Sequence, residues 1–427
     1  MSRILLIIPL KPENDLVILN LIKIVIFKTI LLLTQYTKGE VYMSRFAQLC
    51  PIFFGAGEIN NTGAVAKELG MTRVLLVTEK NIMKTGVPNK AIKSLENTGI
   101  QVFVYDGVMM DAPDVTVVEG AELAAKEQVD GIIGCGGGSS LDTAKAIALF
   151  VNNMADIDIK TMIVFNPEKP VALKSNLKNI MIPTTSGTGS EVTCVAVITD
   201  TSTHSKCGCL VSANAAIVDP ELTIGLNESI TAYTAMDAFS HCIESLCNLV
   251  TNPHSEVLAL DSIRRIVQWL PVAVKDTANA EARYNLAIAS NWAGIAFQDS
   301  SVNVGHAMAH ALGARLQIPH GIGCALVTPS VIELVAGARP NVYMQIAEIF
   351  GLVIASVEEL PLKLSDAVRV FSKKVGIPSL KTLGFTREQI LSTVDYALGE
   401  GMRMGCIVPQ DEKIVTDMMA KVYDLYE

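Results

Sequence analysis

Past residue 222 the strand signals of this chain stop and only helical periodicity continues, and that switch constrains the fold more than any other feature. Before it, short apolar runs of β character at 73–78, 102–105, 131–134 and 179–183 alternate with helical stretches at 63–69, 90–98, 116–127 and 141–150. Strands separated by helices make βαβ units around a parallel sheet. After it, Leu, Ile, Ala and Val recur with a period of about 3.6. They predict helices at 231–249, 253–270, 280–297, 342–350, 362–375, 388–398 and 412–426, plus one around residue 306.

Two of the predicted strands run into glycine loops. The first is Gly134-Cys-Gly-Gly-Gly-Ser139-Ser-Leu-Asp142-Thr-Ala-Lys145, leading straight into a helix. Backbone N–H groups of such a turn, with a helix N-terminus behind them, suit a pyrophosphate. The second is Pro183-Thr184-Thr185-Ser-Gly-Thr-Gly-Ser190-Glu191, rich in hydroxyls that can bond ribose or amide groups. Either could be a structural turn; two at strand ends of one sheet favour a nucleotide. Glu79 closes the first predicted strand, where a carboxylate can accept from a ribose 2′-OH and repel a 2′-phosphate, so NAD is expected over NADP.

The chemistry of the helical half concentrates in histidine. The chain has six, and His306, His310 and His320 fall in one short window. His306 and His310 are one turn apart on an apolar helix that Gly313 can end, and Pro319 delivers His320 at the start of the next element. His241 follows Asp237 by one turn on another helix. Ala307 excludes an HExxH site. One carboxylate and three imidazoles on apolar helices suggest a divalent d-block ion. At 427 residues two cores are expected, namely an α/β dinucleotide-binding domain over 43–222 and an all-helical metal-binding domain over 223–427, with the active site between them.

A net charge of −9 with a pI near 5.3, and no Lys/Arg cluster, argue against nucleic acid as a partner. Nine scattered cysteines without a CxxC pair fit reduced thiols in the cytoplasm, with Cys207 and Cys209 structural. Residues 1–42 look foreign to the rest. The apolar run 16–34 is marginal as a span, because Lys23 and Lys28 at roughly +2.5 to +3.5 kcal/mol each nearly cancel its apolar residues. No cleavage site follows it. Lys38-Gly39-Glu40, whose codons resemble a ribosome-binding site ahead of Met43, suggests upstream DNA translated from a mis-set start; no membrane association is expected.

Gly136-Gly-Gly-Ser139 with Asp142 and Lys145, the Pro183–Glu191 loop, Asp219-Pro220, Asp237…His241, His306-Ala-Met-Ala-His310 and Pro319-His320-Gly321 together resemble the iron-containing (group III) alcohol dehydrogenases, from Pro51 to the C-terminus. The resemblance implies a dehydroquinate-synthase-like fold, NAD(P) and one divalent ion, Fe²⁺ with Zn²⁺ as the alternative. It implies Asp237, His241, His306 and His320 as ligands, and His310 as a catalytic, non-ligand histidine beside the nicotinamide in a proton path. Gly137, Gly138 and Ser139, with Asp142 of the same signature, would hold the pyrophosphate. Thr184, Thr185 and Lys206 would hold the nicotinamide and its ribose, and Glu79 stands where the family has an NAD-selecting Asp. The expected partners are a small primary alcohol, diol or aldehyde and further copies of the chain, as a homodimer or larger.

Three departures stand out. Ala235 replaces a family Gly, the segment 206–219 is short, and 402–409 lacks the family's Asn-Pro-Arg. Two alternatives share the same fold. A dehydroquinate-synthase-like enzyme would need a Lys/Arg cluster in the cleft, and Arg315 is the nearest candidate to the histidines. A non-catalytic binding protein would have no need of the complete ligand set.

Overall fold

The computed structural model describes residues 46–163 and 173–426; the reading of residues 1–42 lies outside them. Eight strands are β1 (Ile52–Phe54), β2 (Arg73–Val77), β3 (Gln101–Tyr105), β4 (Gly131–Gly136), β5 (Lys178–Pro183), β6 (Val195–Asp200), β7 (Ser205–Leu210) and β8 (Ala215–Val218). Six of them form one sheet in the order β1-β8-β5-β4-β2-β3, every pair parallel. β4 is buried along its length and β5 all but Lys178, as expected for a parallel sheet covered on both faces. β6 and β7 pair antiparallel as a separate hairpin. In β6 the odd positions are half-buried and the even ones buried, the period of two of a strand with one covered face.

The helices of the first half are α1 (Thr62–Glu68), α2 (Lys80–Lys84), α3 (Val87–Asn97), α4 (Asp114–Lys126), α5 (Gly138–Phe150) and α6 (Ile159–Ile163). Those of the second are α7 (Glu228–Ser245), α8 (Pro253–Lys275), α9 (Ala280–Ser300), α10 (Val304–Leu316), α11 (His320–Val335), α12 (Pro340–Ile349), α13 (Leu360–Lys374), α14 (Arg387–Leu391), α15 (Val394–Gly399) and α16 (Glu412–Asp424). β1 and β6–β8 go beyond the predicted strands. The predicted helix 388–398 is split in two. α8 continues through Pro271, because Ala273 beyond it is buried in the helical core and tertiary packing outweighs the lost hydrogen bond. Gly313 does not end α10. The helix runs to Leu316 and stops where Gln317 takes the left-handed conformation at φ 58°.

Asn227 starts α7 by accepting from Ile230 N–H at 2.8 Å, and Asp411 starts α16 in the same way. Asp219, directly after β8, fixes the exit from the sheet by accepting from the N–H groups of Ile59 at 3.2 Å and Glu221 at 3.0 Å. α9 packs on the second glycine loop. Asn291 Nδ2 donates to buried Glu191 Oε1 at 2.9 Å. Gly189, at φ 61°, lies so close to Gly294 that a Cβ there would sit 2.5 Å from the Gly294 Cα.

Candidate metal centre and dinucleotide site

Three helices converge on Asp237. The aspartate and His241 share one face of α7, His306 comes from the first turn of α10, and His320 opens α11. Asp237 Oδ1 lies 3.4 Å from His320 Nε2 and 3.7 Å from the Nε2 atoms of both His306 and His241. It is buried and has no hydrogen-bond partner. A buried carboxylate oxygen is costly without a partner. A tetrahedral ion with bonds of about 2.1 Å sets its ligands about 3.4 Å apart, close to these three separations from Asp237, although His241 is not among the atoms that lie within 4.8 Å of one another. The His241 ring stacks on His306 at 4.6 Å and on Phe297 of α9 at 4.2 Å.

Two contributors escape the sequence reading. Glu244, two turns after Asp237 on α7, reaches the start of α10. Its Oε1 lies 2.5 Å from His306 Nδ1, while Oε2 accepts from the N–H groups of Asn303 at 2.5 Å and His306 at 3.3 Å. A carboxylate only accepts, so Nδ1 carries a proton and Nε2 is the ring atom left to face Asp237 and, once deprotonated, to bind an ion. The negative charge also sits at the positive end of α10. Cys324, one turn into α11 from His320, places Sγ 3.5 Å from His320 Nε2 and 3.8 Å from His306 Nε2. The ligand atoms of Asp237, His306, His320 and Cys324 all lie within 4.8 Å of one another. The spacing of His320 and Cys324 is the one signal the sequence offers for the latter; for Glu244 it is the shared face with Asp237 and His241.

Electrostatics follow the burial. Burial alone would raise the Asp237 carboxyl, but His241, His320 and His306 outweigh it and hold the group well below the carboxylate range. Burial lowers His241 to about 4. His320 is raised to about 9, and His306 well above its ordinary value, because Cys324 and the nearby carboxylates overcome burial. His310, also on α10, is pushed well down by burial and by Lys206 and His320, which leaves a neutral imidazole. Its Nδ1 is buried without a hydrogen bond, and Glu400 Oε1 is 3.6 Å away.

The first glycine loop leaves β4 beside the end of β5, with Gly136 in register with Pro183. The chain crosses from β2 to β3 on one side and from β4 to β5 on the other, so the carboxyl ends of the adjacent strands β2 and β4 flank a topological switch point. Gly137 caps α5 without a side-chain bond, which leaves the first amides of the helix for an anion. Ser140 Oγ donates to Glu79 Oε1 at 3.1 Å, joining the end of β2 to this loop, and burial raises the Glu79 carboxyl despite that bond. Ser139 Oγ accepts from Asp111 N–H. A Cβ at Gly138 would sit 2.7 Å from the Thr188 methyl, whereas Gly137 faces Thr185 at ordinary contact distance.

Thr184 Oγ1 is buried with no partner. Asp142 is occupied by bracing: it accepts from Ser190 Oγ at 2.6 Å and lies 3.3 Å from Lys145, whose Nζ donates to the Ser190 and Val195 carbonyls. Lys206, on β7, pairs with Asp111 at 2.8 Å. In the 402–409 stretch Arg403 is spent on the carbonyls of Leu398, in α15, and Gln410.

Residues 51–220 match the model of the iron-containing alcohol dehydrogenases and residues 231–424 that of the C-terminal part of the Fe-containing alcohol dehydrogenase family. This chain belongs to the iron-containing alcohol dehydrogenase family. It is an oxidoreductase, and the expected fold class stands. Choline dehydrogenase of Bacillus subtilis is 36% identical over 378 residues, 87% of this chain and 93% of that one. The crystal structure of a 1,3-propanediol oxidoreductase superposes with a TM-score of 0.83 at 31% identity, covering 89% of this chain and 100% of that chain. Sulfoacetaldehyde reductase from Bifidobacterium kashiwanohense, solved in complex with NAD+, has a TM-score of 0.80 at 27% identity, covering 90% of this chain and all of its own. Among the described residues no helix is long and apolar enough to cross a membrane.

Proposed function

We propose that this chain is an NAD-dependent, metal-dependent alcohol dehydrogenase or aldehyde reductase acting on a small primary alcohol or diol. The observation that carries the reading is the partnerless, buried Asp237 Oδ1 facing three imidazole Nε2 atoms at 3.4–3.7 Å. Asp237, His241, His306 and His320 would hold Fe²⁺ or Zn²⁺. When bound, the ion would supply Lewis-acid polarisation of a hydroxyl or carbonyl oxygen and the dinucleotide would supply hydride-transfer chemistry.

The chain's own groups do the rest. Glu244 fixes the ring of His306. The amides of Gly137, Gly138 and Ser139 at the start of α5 would receive the pyrophosphate, with Asp142 and Lys145 holding the second loop in place. Glu79 accepts from the ribose 2′-OH and disfavours a 2′-phosphate, and the family relative solved with NAD+ supports that choice. Thr184, Thr185 and Lys206 are assigned to the nicotinamide and its ribose. His310 is neutral at physiological pH and stands between the histidine cluster and Glu400, placed to carry a proton to or from the reacting oxygen. Lys206 and Arg315 are paired with Asp111 and Asp395, which speaks for redox chemistry over a synthase that binds a phosphorylated acid. The names of the relatives point to short hydroxyl- or aldehyde-bearing substrates.

The test is His306→Ala. That variant should lose metal retention and alcohol-dependent NADH formation while keeping its circular dichroism. Full activity with a folded, metal-free variant would refute the reading.

A further inference from the structure

We propose that the Cys324 sulfur is an inner ligand of the same ion, so that the centre carries a thiolate beside Asp237, His306 and His320. The proposal rests on the metal site proposed above and adds the donor that sets its metal preference. Cys324 is fully buried, and α11 brings it to the same face as His320 one turn on. A tetrahedral ion with bonds of about 2.3 Å to sulfur and about 2.0–2.1 Å to nitrogen separates S from N by about 3.6 Å. The two observed separations, 3.5 and 3.8 Å, bracket that value. Hydrogen bonds between the sulfur and the two imidazoles would give similar distances, and a cobalt spectrum separates the two cases; both Nε2 atoms also face the Asp237 oxygen, which has no hydrogen-bond partner. An ion at the centre of this set satisfies all four groups at once.

His241 Nε2 faces the same Asp237 oxygen at 3.7 Å with its ring backed by Phe297, but it is not one of the four atoms that lie within 4.8 Å of one another. On coordination the thiol proton is released to solvent. Thiolate and carboxylate together cancel the ion's charge, and the soft sulfur favours Zn²⁺ and Co²⁺ over Fe²⁺.

The experiment titrates chelator-stripped full-length protein with Co²⁺ under anaerobic conditions and reads the optical spectrum. A near-ultraviolet thiolate-to-cobalt charge-transfer band is expected, absent in Cys324→Ser, which still binds cobalt through its other ligands. Zn²⁺ should also lose roughly tenfold or more of its advantage over Fe²⁺ in that variant. Cobalt bound with visible ligand-field bands alone, identical in both proteins, overturns the proposal and leaves the metal site intact. Failure of the unaltered protein to bind cobalt overturns the metal site itself. Should Cys324→Ser not fold, X-ray absorption of the unaltered zinc protein decides: a sulfur scatterer at about 2.3 Å supports the thiolate and its absence refutes it.

Discussion

Glu244→Ala isolates the contribution of a residue that touches neither ion nor substrate. The side chain is buried and accepts from three donors, His306 Nδ1 and the N–H groups of Asn303 and His306. Removing it frees the His306 ring to turn and strips the positive end of α10 of its compensating charge. Loss of such a supporting carboxylate costs about 10–100-fold in metal affinity, which is about 1.4–2.7 kcal/mol. The buried donors left behind cost about 1–3 kcal/mol each, so the apoprotein should also lose stability. Glu244→Gln separates the two effects. Its carbonyl can still accept from His306 Nδ1, but its amide would oppose the backbone donors, so affinity should be largely kept while stability falls. Zinc affinity is measured by competition with a chromophoric chelator, and stability by denaturant unfolding of the stripped protein. At saturating ion, a tenfold weaker affinity removes about 1.4 kcal/mol of ligand-induced stabilisation. An alanine variant that binds zinc as tightly as the unaltered protein would refute the reasoning.

Glu79→Gly or Glu79→Ser should relax the preference for NAD by removing the charge that repels a 2′-phosphate, and an unchanged NAD/NADP ratio of kcat/KM would count against that role. Gly189→Ala combines a left-handed φ with a methyl driven against Gly294, and should cost roughly 1–3 kcal/mol of stability and weaken NADH binding; a neutral result would mean the loop stands off α9. Metal uptake should weaken as pH falls below about 9, because His320 titrates near that value and His306 is raised as well. An entering ion must displace those protons, so the apparent affinity measured from pH 6 to 9 should rise with pH, and a flat profile would be inconsistent with these ligands.

What the sequence could show depended on whether a residue's role is local. The spacing of Asp237 and His241, and of His306 and His310, is a property of one helix each, and the glycine loops end strands whose apolar runs are plain to read. Glu244 and Cys324 differ. Their identity and spacing resemble those of any core glutamate or buried cysteine, and their contacts exist only once α7, α10 and α11 meet. Asp142 belongs to the glycine-loop signature, yet its contacts hold Ser190 and Lys145. The helix end at Gln317 was hidden because Gly313 carried the stronger local signal, while packing of the last turn of α10 decided the outcome.

Near the middle of α9, Asn291 and Gly294 grip the hydroxyl-rich loop, and one turn later Phe297 lies flat against the His241 imidazole beside the proposed ion. A single rigid rod thus gauges the span from coenzyme to cation. Any change that refits the loop to a different dinucleotide, by shifting this rod, also tilts the ring at its other station, so retuning one reactant's seat disturbs the other's.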